Sequence, residues 1–404
     1  SSHSGGCGAQ SEEVQCSKRR GSGVMGGGGQ GKGRGSGKGP GQGQGKGKSK
    51  GRGKGLGIGK GRSKGQWLPV QPAVLVTGAG GYVAMNIIRV LTDRRYRVRG
   101  TVRSLADAAK VEPLKQLFPK LELFEADLLG GSEPFEVAMK GCKYVIHCAS
   151  PFKNRVADAQ AELVDPCLKG TEAVISAALR TGVSRVVLTS STAAVGPPLQ
   201  WMRDSALADR EKVFTEADWN HEATLATAPY MFAKRLAEER AWELVGKADS
   251  LALVTICPGF VIGPMLGSRA DGESVAFVRS MLDGSTKERG CKGAPLAITD
   301  VRDVALAHLR AMETEEAAGK RFVVCSERGY SKIELAGMIR DRFKAYSVPT
   351  EGPKPEYSPA YDNSRAREHL KLALRPVAAS MRDMAKAAIR LGLVERRPTE
   401  TSKQ

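Results

Sequence analysis

Tyr230 and Lys234 stand four residues apart in the run Tyr230-Met231-Phe232-Ala233-Lys234. That spacing places both side chains on one face of a helix. A free phenol has a pKa near ~10 and exchanges protons poorly at neutral pH. A neighbouring ammonium favours the phenolate and lowers that pKa. Bringing it to ~7–8 takes roughly 3–4 kcal/mol of differential stabilisation. The pair therefore predicts a proton donor tuned by a lysine. The same spacing also arises on any amphipathic helix, so the neighbouring motifs must carry weight. One of them is Val187-Leu188-Thr189-Ser190-Ser191-Thr192, which gathers hydroxyls at the end of an apolar strand. A hydroxyl there would hold a substrate oxygen, although a single Ser also caps turns.

A second chemistry is written upstream, in Val74-Leu75-Val76-Thr77-Gly78-Ala79-Gly80-Gly81-Tyr82-Val83-Ala84. An apolar strand runs into a glycine turn and then a helix. Gly78 permits the sharp turn. Gly81 lets a pyrophosphate approach the backbone N–H groups where Tyr82 and Val83 open the helix. Ala84 is small enough for close helix–strand packing. The loop predicts dinucleotide binding at Gly78, Gly81, Tyr82 and Val83, against the plainer reading of a structural turn. The next strand selects the dinucleotide. An acid at its end would hold a ribose 2′-hydroxyl. Here the chain reads Gly100-Thr101-Val102-Arg103-Ser104, without an acid. Arg103 suits a 2′-phosphate as a forked donor, with Lys110 as a second charge. NADP is the expected cofactor. The alternative is that Arg103 is a solvated loop cation.

Positioning these residues requires a particular scaffold. Apolar runs predict strands at Ala73–Thr77, Tyr96–Val102, Leu121–Ala126, Tyr144–Cys148, Arg185–Thr189 and Leu251–Cys257. Helical periodicity falls between them, notably at Gly81–Thr92, Asp165–Thr181 and Tyr230–Lys247. This alternation predicts an α/β fold, a doubly wound parallel sheet of Rossmann type. After Pro258 the rhythm loosens. Residues 259–296 and 326–395 read as a smaller C-terminal substrate-binding cap. Residues 67–258 form the dinucleotide-binding domain, with 297–325 returning to its flank.

The 404 residues carry a net charge of +19, unevenly spread. Residues 1–66 hold 14 Lys and Arg against only Glu12 and Glu13, and 25 of the 48 glycines. Such a segment has no apolar face to offset its ordering entropy, so it reads as a disordered basic tail. Weak nonspecific contact with polyanions is the sharper reading, but no aromatic stands between Ser1 and Gln66 to stack on bases. The eight cysteines form no CxxC pair and no metal-ligand spacing. They read as buried thiols in a reducing compartment, hence a cytoplasmic protein. No apolar run approaches a membrane span. No metal and no membrane partner are expected, and the chain is expected to act as a monomer or homodimer.

Taken together, the motifs resemble the extended branch of the short-chain dehydrogenase/reductases. More closely they resemble its dihydroflavonol reductase-like group within the NAD-dependent epimerase/dehydratase superfamily. The matching segments include TGAGGYVA, Thr101-Val102-Arg103, Ala126-Asp127-Leu128, His147-Cys148-Ala149-Ser150-Pro151 and Thr189-Ser190-Ser191. Further matches are Phe214–Asn220, the YMFAK box, Leu236-Ala237-Glu238, Cys257–Pro264 and Asp362–Arg367. The resemblance covers residues 71–395. It implies reduction of a carbonyl by NADPH. Ser191 would bond the substrate oxygen, Tyr230 would protonate it, and Lys234 would tune Tyr230 and hold the ribose. Asp127 and Leu128 would flank the adenine. Ala149 and Ser150 would line the cofactor channel, and Pro258 and Val261 would lie near the nicotinamide. Gly196–Ala228 matches no plant substrate pocket, so a generic aldehyde or ketone is the expected substrate. The alternative is a cofactor-retaining epimerase or dehydratase, or a 3-beta-hydroxysteroid-type dehydrogenase/isomerase.

Overall fold

The computed structural model describes residues 71–151, 156–206, 208–248, 250–267 and 272–395. The basic tail expected at 1–66 lies outside the described residues.

The main sheet is built from β1 (Ala73–Thr77), β2 (Arg97–Val102), β3 (Glu122–Glu125), β4 (Cys142–His147), β5 (Arg185–Thr189), β7 (Ala252–Pro258) and β10 (Arg321–Val324). A short β6 (Val213–Phe214) lies between β5 and β7 in the chain. The seven sheet strands run parallel in the order β10-β7-β5-β4-β1-β2-β3. Every residue of β1 is buried, because both faces of the sheet are covered. Val74 and Val76 point into one core with Ile87, Ile88 and Leu91 of the helix Tyr82–Asp93 and with Leu309 of the helix Val301–Glu313. Leu75 points into the other, with Phe135, Val174, Ile175 and Ala241. Alternate residues of an apolar run thus serve opposite layers, which is why such a strand shows no polar face.

A smaller lobe carries β8 (Phe260–Ile262), β9 (Leu296–Asp300) and β11 (Gly329–Tyr330), in the sheet order β11-β9-β8. Its core joins Ile262, Val278 and Met281 to Leu335, Ile339, Met381 and Met384 of the helices Lys332–Arg340 and Val377–Arg390. β12 (Ala360–Tyr361) pairs with β6. Sequence reading places residues 297–325 wholly on the main sheet's flank. The structure divides them. β9 belongs to the small sheet, the helix Val301–Glu313 packs into the first main core, and β10 is the main sheet's edge. Asp300 makes the junction, its carboxylate accepting the Arg302 N–H at 2.8 Å to cap that helix.

Candidate active site

In this strand order the chain winds one way from β1 toward β3 and the other way through β4 and β5. The switch lies between β1 and β4, and open parallel sheets bind ligands there, at the strands' C-terminal ends. The candidate residues converge on that edge.

Gly78 follows β1 with φ +67°, a left-handed conformation that favours glycine. A Cβ there would stand 3.1 Å from Ala149, at the end of β4. Gly81 N–H donates to the Gly78 carbonyl at 2.8 Å, closing the turn. Gly81 is the N-cap of the helix Tyr82–Asp93, with no side-chain cap and no acid in the first turn. A helix start of this kind can accept an external anion. Val83 packs into the first core. Tyr82 turns its hydroxyl to the Gly263 carbonyl at 2.7 Å, joining the phosphate loop to the residue after β8.

Two supports of this loop were not found by motif. Thr101 holds it from β2, its hydroxyl accepting the Gly78 N–H at 3.1 Å and its carbonyl the Ala79 N–H at 2.8 Å. Gly100 makes room, since a Cβ there would meet Ala79 at 2.7 Å. Thr77 completes the inner wall. Its hydroxyl oxygen accepts the N–H groups of Cys148 at 3.1 Å and Ala149 at 3.0 Å. Its proton is thereby directed to His147 Nδ1, 2.8 Å away. His147 then carries its own proton on Nε2. Burial, with the Lys234 charge second, pushes the His147 pKa down to about 3. The imidazole is neutral.

The catalytic candidates come together. Ser191 caps the short 3₁₀ turn Thr192–Ala194, accepting the Ala193 N–H at 3.1 Å. That leaves its hydroxyl proton free to donate, and it hydrogen-bonds Tyr230. Tyr230 opens the helix Pro229–Val245 just after Pro229 at its first turn, where a missing N–H costs nothing. Lys234, only 8% exposed, donates to the Thr189 carbonyl at 3.4 Å. One expectation is corrected in its net direction. Burial raises the Tyr230 pKa more than Lys234 lowers it, so the phenol stands above its ordinary value. Spacing alone reveals the lysine but not the desolvation that opposes it. A protonated phenol is the form a general acid needs.

The remaining candidates fall at other positions in the fold. Ser150 pairs with Cys167 at 3.1 Å. Pro258 ends β7, and Val261 lies in β8 opposite Thr299. Asp127 is half-buried and closes its own turn through the Leu129 N–H at 2.8 Å. Leu128 packs tightly over Gly170, where a Cβ would meet it at 2.7 Å, so its side chain serves the second core. Arg103 is exposed just past the end of β2. Lys110 is exposed too and is engaged by Asp107 at 2.5 Å. A glycine cradle, an uncapped helix start and an exposed arginine where an acid would discriminate against phosphate all fit NADP.

The family model described as NAD dependent epimerase/dehydratase matches residues 74–325. The chain belongs to that family. Relatives of this epimerase/dehydratase-family chain include cinnamoyl-CoA reductase CAD2 of Medicago truncatula, 36% identical over 317 residues, spanning 77% of this chain and 93% of the relative. An anthocyanidin reductase of Vitis vinifera is 31% identical over 285 residues, spanning 68% and 82%. Among solved structures, the yeast methylglyoxal/isovaleraldehyde reductase Gre2 complexed with NADPH is 27% identical with TM-score 0.69, covering 79% of this chain and 99% of that one. Gre2 of Candida albicans in complex with NADPH is 28% identical with TM-score 0.70, at the same coverages. The resemblance drawn from the motifs is thus to the right group, the dihydroflavonol reductase-like extended reductases.

Proposed function

We propose that this chain reduces an aldehyde or ketone to an alcohol with NADPH. The observation that carries the reading is the Ser191–Tyr230–Lys234 cluster standing beside an uncapped glycine loop on the same sheet edge. The relatives named above are reductases, and this supports the direction of the chemistry.

Gly78, Gly81 and the first N–H groups at Tyr82 and Val83 would hold the pyrophosphate. Arg103 and Lys110 would face the 2′-phosphate, and Asp127 and Leu128 the adenine. Ala149, Ser150, Pro258 and Val261 would line the nicotinamide end. When bound, NADPH supplies the hydride. Ser191 would turn its hydroxyl proton to the carbonyl oxygen, and Tyr230 would donate its proton to that oxygen. Lys234 stabilises the phenolate left behind. Domain boundaries follow the same reading. Residues 67–258 with 301–325 would bind the cofactor, and 259–300 with 326–395 would form the substrate cap, β9 going with the cap's small sheet.

Among the described residues no helix is long and apolar enough to cross a membrane, and no cluster of His, Cys, Asp and Glu is placed to hold a metal. The described cysteines are free and mostly buried, which supports a reducing, cytoplasmic setting. We assign the tail no more than weak polyanion contact, and the functional unit to a monomer or homodimer.

The test is a carbonyl panel run in parallel with NADPH and NADH, on the native protein and on Tyr230→Phe. NADPH oxidation should require a carbonyl and collapse in the variant. Undiminished turnover by Tyr230→Phe would refute the assignment. Tightly retained NAD with no net cofactor consumption would point instead to an epimerase or dehydratase.

A further inference from the structure

The helix that carries Tyr230 and Lys234 has a third residue on the same face, Glu238, one further turn along. Glu238 is buried, 1% exposed. It accepts Arg321 Nε at 2.7 Å and Arg321 Nη2 at 3.2 Å, a forked pair across 83 residues of chain. It also accepts the Thr255 hydroxyl of β7 at 2.7 Å and the Ser190 hydroxyl at 2.5 Å. Arg321 is itself satisfied. Its Nη1 donates to the Glu216 and Asp218 carbonyls at 2.8 and 2.7 Å, and the Trp219 ring covers its face with the centroid 3.7 Å away.

A buried ion pair is weak evidence for stability, since apolar replacements often serve as well. What distinguishes this one is its contact with Ser190. Residues 189, 190 and 191 meet the helix at three successive turns. The Ser191 hydroxyl bonds Tyr230, the Thr189 carbonyl accepts Lys234, and the Ser190 hydroxyl donates to Glu238. Two of these rungs belong to the proposed chemistry, and the third joins them to β7 and β10.

We propose that Glu238 is a positioning residue: clamped by Arg321, it holds Ser190 and so sets the depth at which the Tyr230–Lys234 helix meets the end of β5. The proposal rests on the reductase reading above and names a further determinant of that site. A misplacement of about 1 Å at a reacting centre can cost roughly 100-fold in rate.

The decisive variant is Ser190→Ala, which removes the rung and leaves the Glu238–Arg321 pair intact. Glu238→Gln, which preserves shape and removes the charge, is the companion. With NADPH and a carbonyl found by the panel, Ser190→Ala should lower kcat by about 10-fold or more, with carbonyl KM and NADPH affinity unchanged. Run in the direction of alcohol oxidation, the pH at which the rate rises should move upward. Lys234 lowers the Tyr230 pKa only when correctly placed, and global destabilisation would not move that limb. Native kcat and an unshifted pH profile in Ser190→Ala would overturn the proposal. So would a loss of activity that merely follows the loss of folded protein. Tyr230→Phe separates the two levels. If it stays active, the reductase reading falls and takes the proposal with it. If it is dead while Ser190→Ala is unaltered, only the positioning role falls.

Discussion

The inner wall of the proposed cofactor groove, from Thr77 and Gly78 to Lys234, and its proposed rim, at Arg103 and Lys110, are held in different ways. On the inner wall each group has a directed partner. Thr77 bonds three neighbours, Gly78 sits in a conformation that favours glycine, and Lys234 is buried against the Thr189 carbonyl. On the rim the charges stand in solvent, and Lys110 already has Asp107 for company. Directed contacts in a dry setting fix geometry, whereas exposed charges contribute attraction that salt screens. The wall should therefore answer to shape and pH, and the rim to ionic strength.

The largest effect is expected at Lys234. Lys234→Met should reduce kcat by roughly 100-fold or more, as loss of a tuned proton donor does, and Tyr230 should titrate higher in the oxidation direction. A mild loss would mean the wall carries less of the chemistry than its geometry suggests. Gly78→Val comes next. A branched side chain at φ +67°, against Ala149 at 3.1 Å, should cost about 2 kcal/mol in urea denaturation and abolish cofactor binding. Acid should weaken the fold through two buried histidines, His147 and also His308, whose Nε2 lies 2.8 Å from the Thr189 hydroxyl. Burial holds His147 and His308 neutral, with pKa values pushed down to about 3 and about 4. The unfolded chain takes up these protons first, near ~6.5, so stability is full above that pH and falls below it, by about 2 kcal/mol per histidine at pH 5. Denaturation of His308→Gln at pH 7 and pH 5 should show about half that slope; an unchanged slope would remove the histidines from the account.

Effects on the rim should be smaller and salt-dependent. Arg103→Ala should raise the KM for NADPH about 10-fold, as loss of a charged hydrogen bond at an exposed site does, and leave NADH untouched. The gap should narrow in high salt. Lys110→Ala should cost under about 3-fold, because Asp107 competes for it. If Lys110 proves the stronger of the two, Asp107 yields on binding and the rim reorganises.

The wall was also the more legible half in sequence. Gly78, Gly81, Tyr230 and Lys234 act through local geometry, a turn or a helical spacing, and local geometry is written in neighbouring letters. The main-sheet strands were legible for the same reason, as short apolar runs. Thr77, Thr101 and Gly100 were hidden because their partners come from other strands. Glu238 could be noticed in a motif, but its bond to Arg321 could not. Short strands such as β8 and β11 have too few residues to show a period. The net rise of the Tyr230 pKa depends on burial, which only the packed fold supplies.

The placement of Arg321 has a consequence for how the molecule is made. The strand that carries it is the edge of the main sheet, yet it is translated after the first part of the smaller lobe. A nascent chain that has just released Tyr230, Lys234 and Ser191 from the ribosome still lacks the cation that neutralises Glu238. Until residue 321 emerges, that carboxylate has no opposite charge to hold it inside. The site can therefore be completed only late in synthesis, and the smaller lobe is an intervening passage rather than an appendage that could be trimmed away.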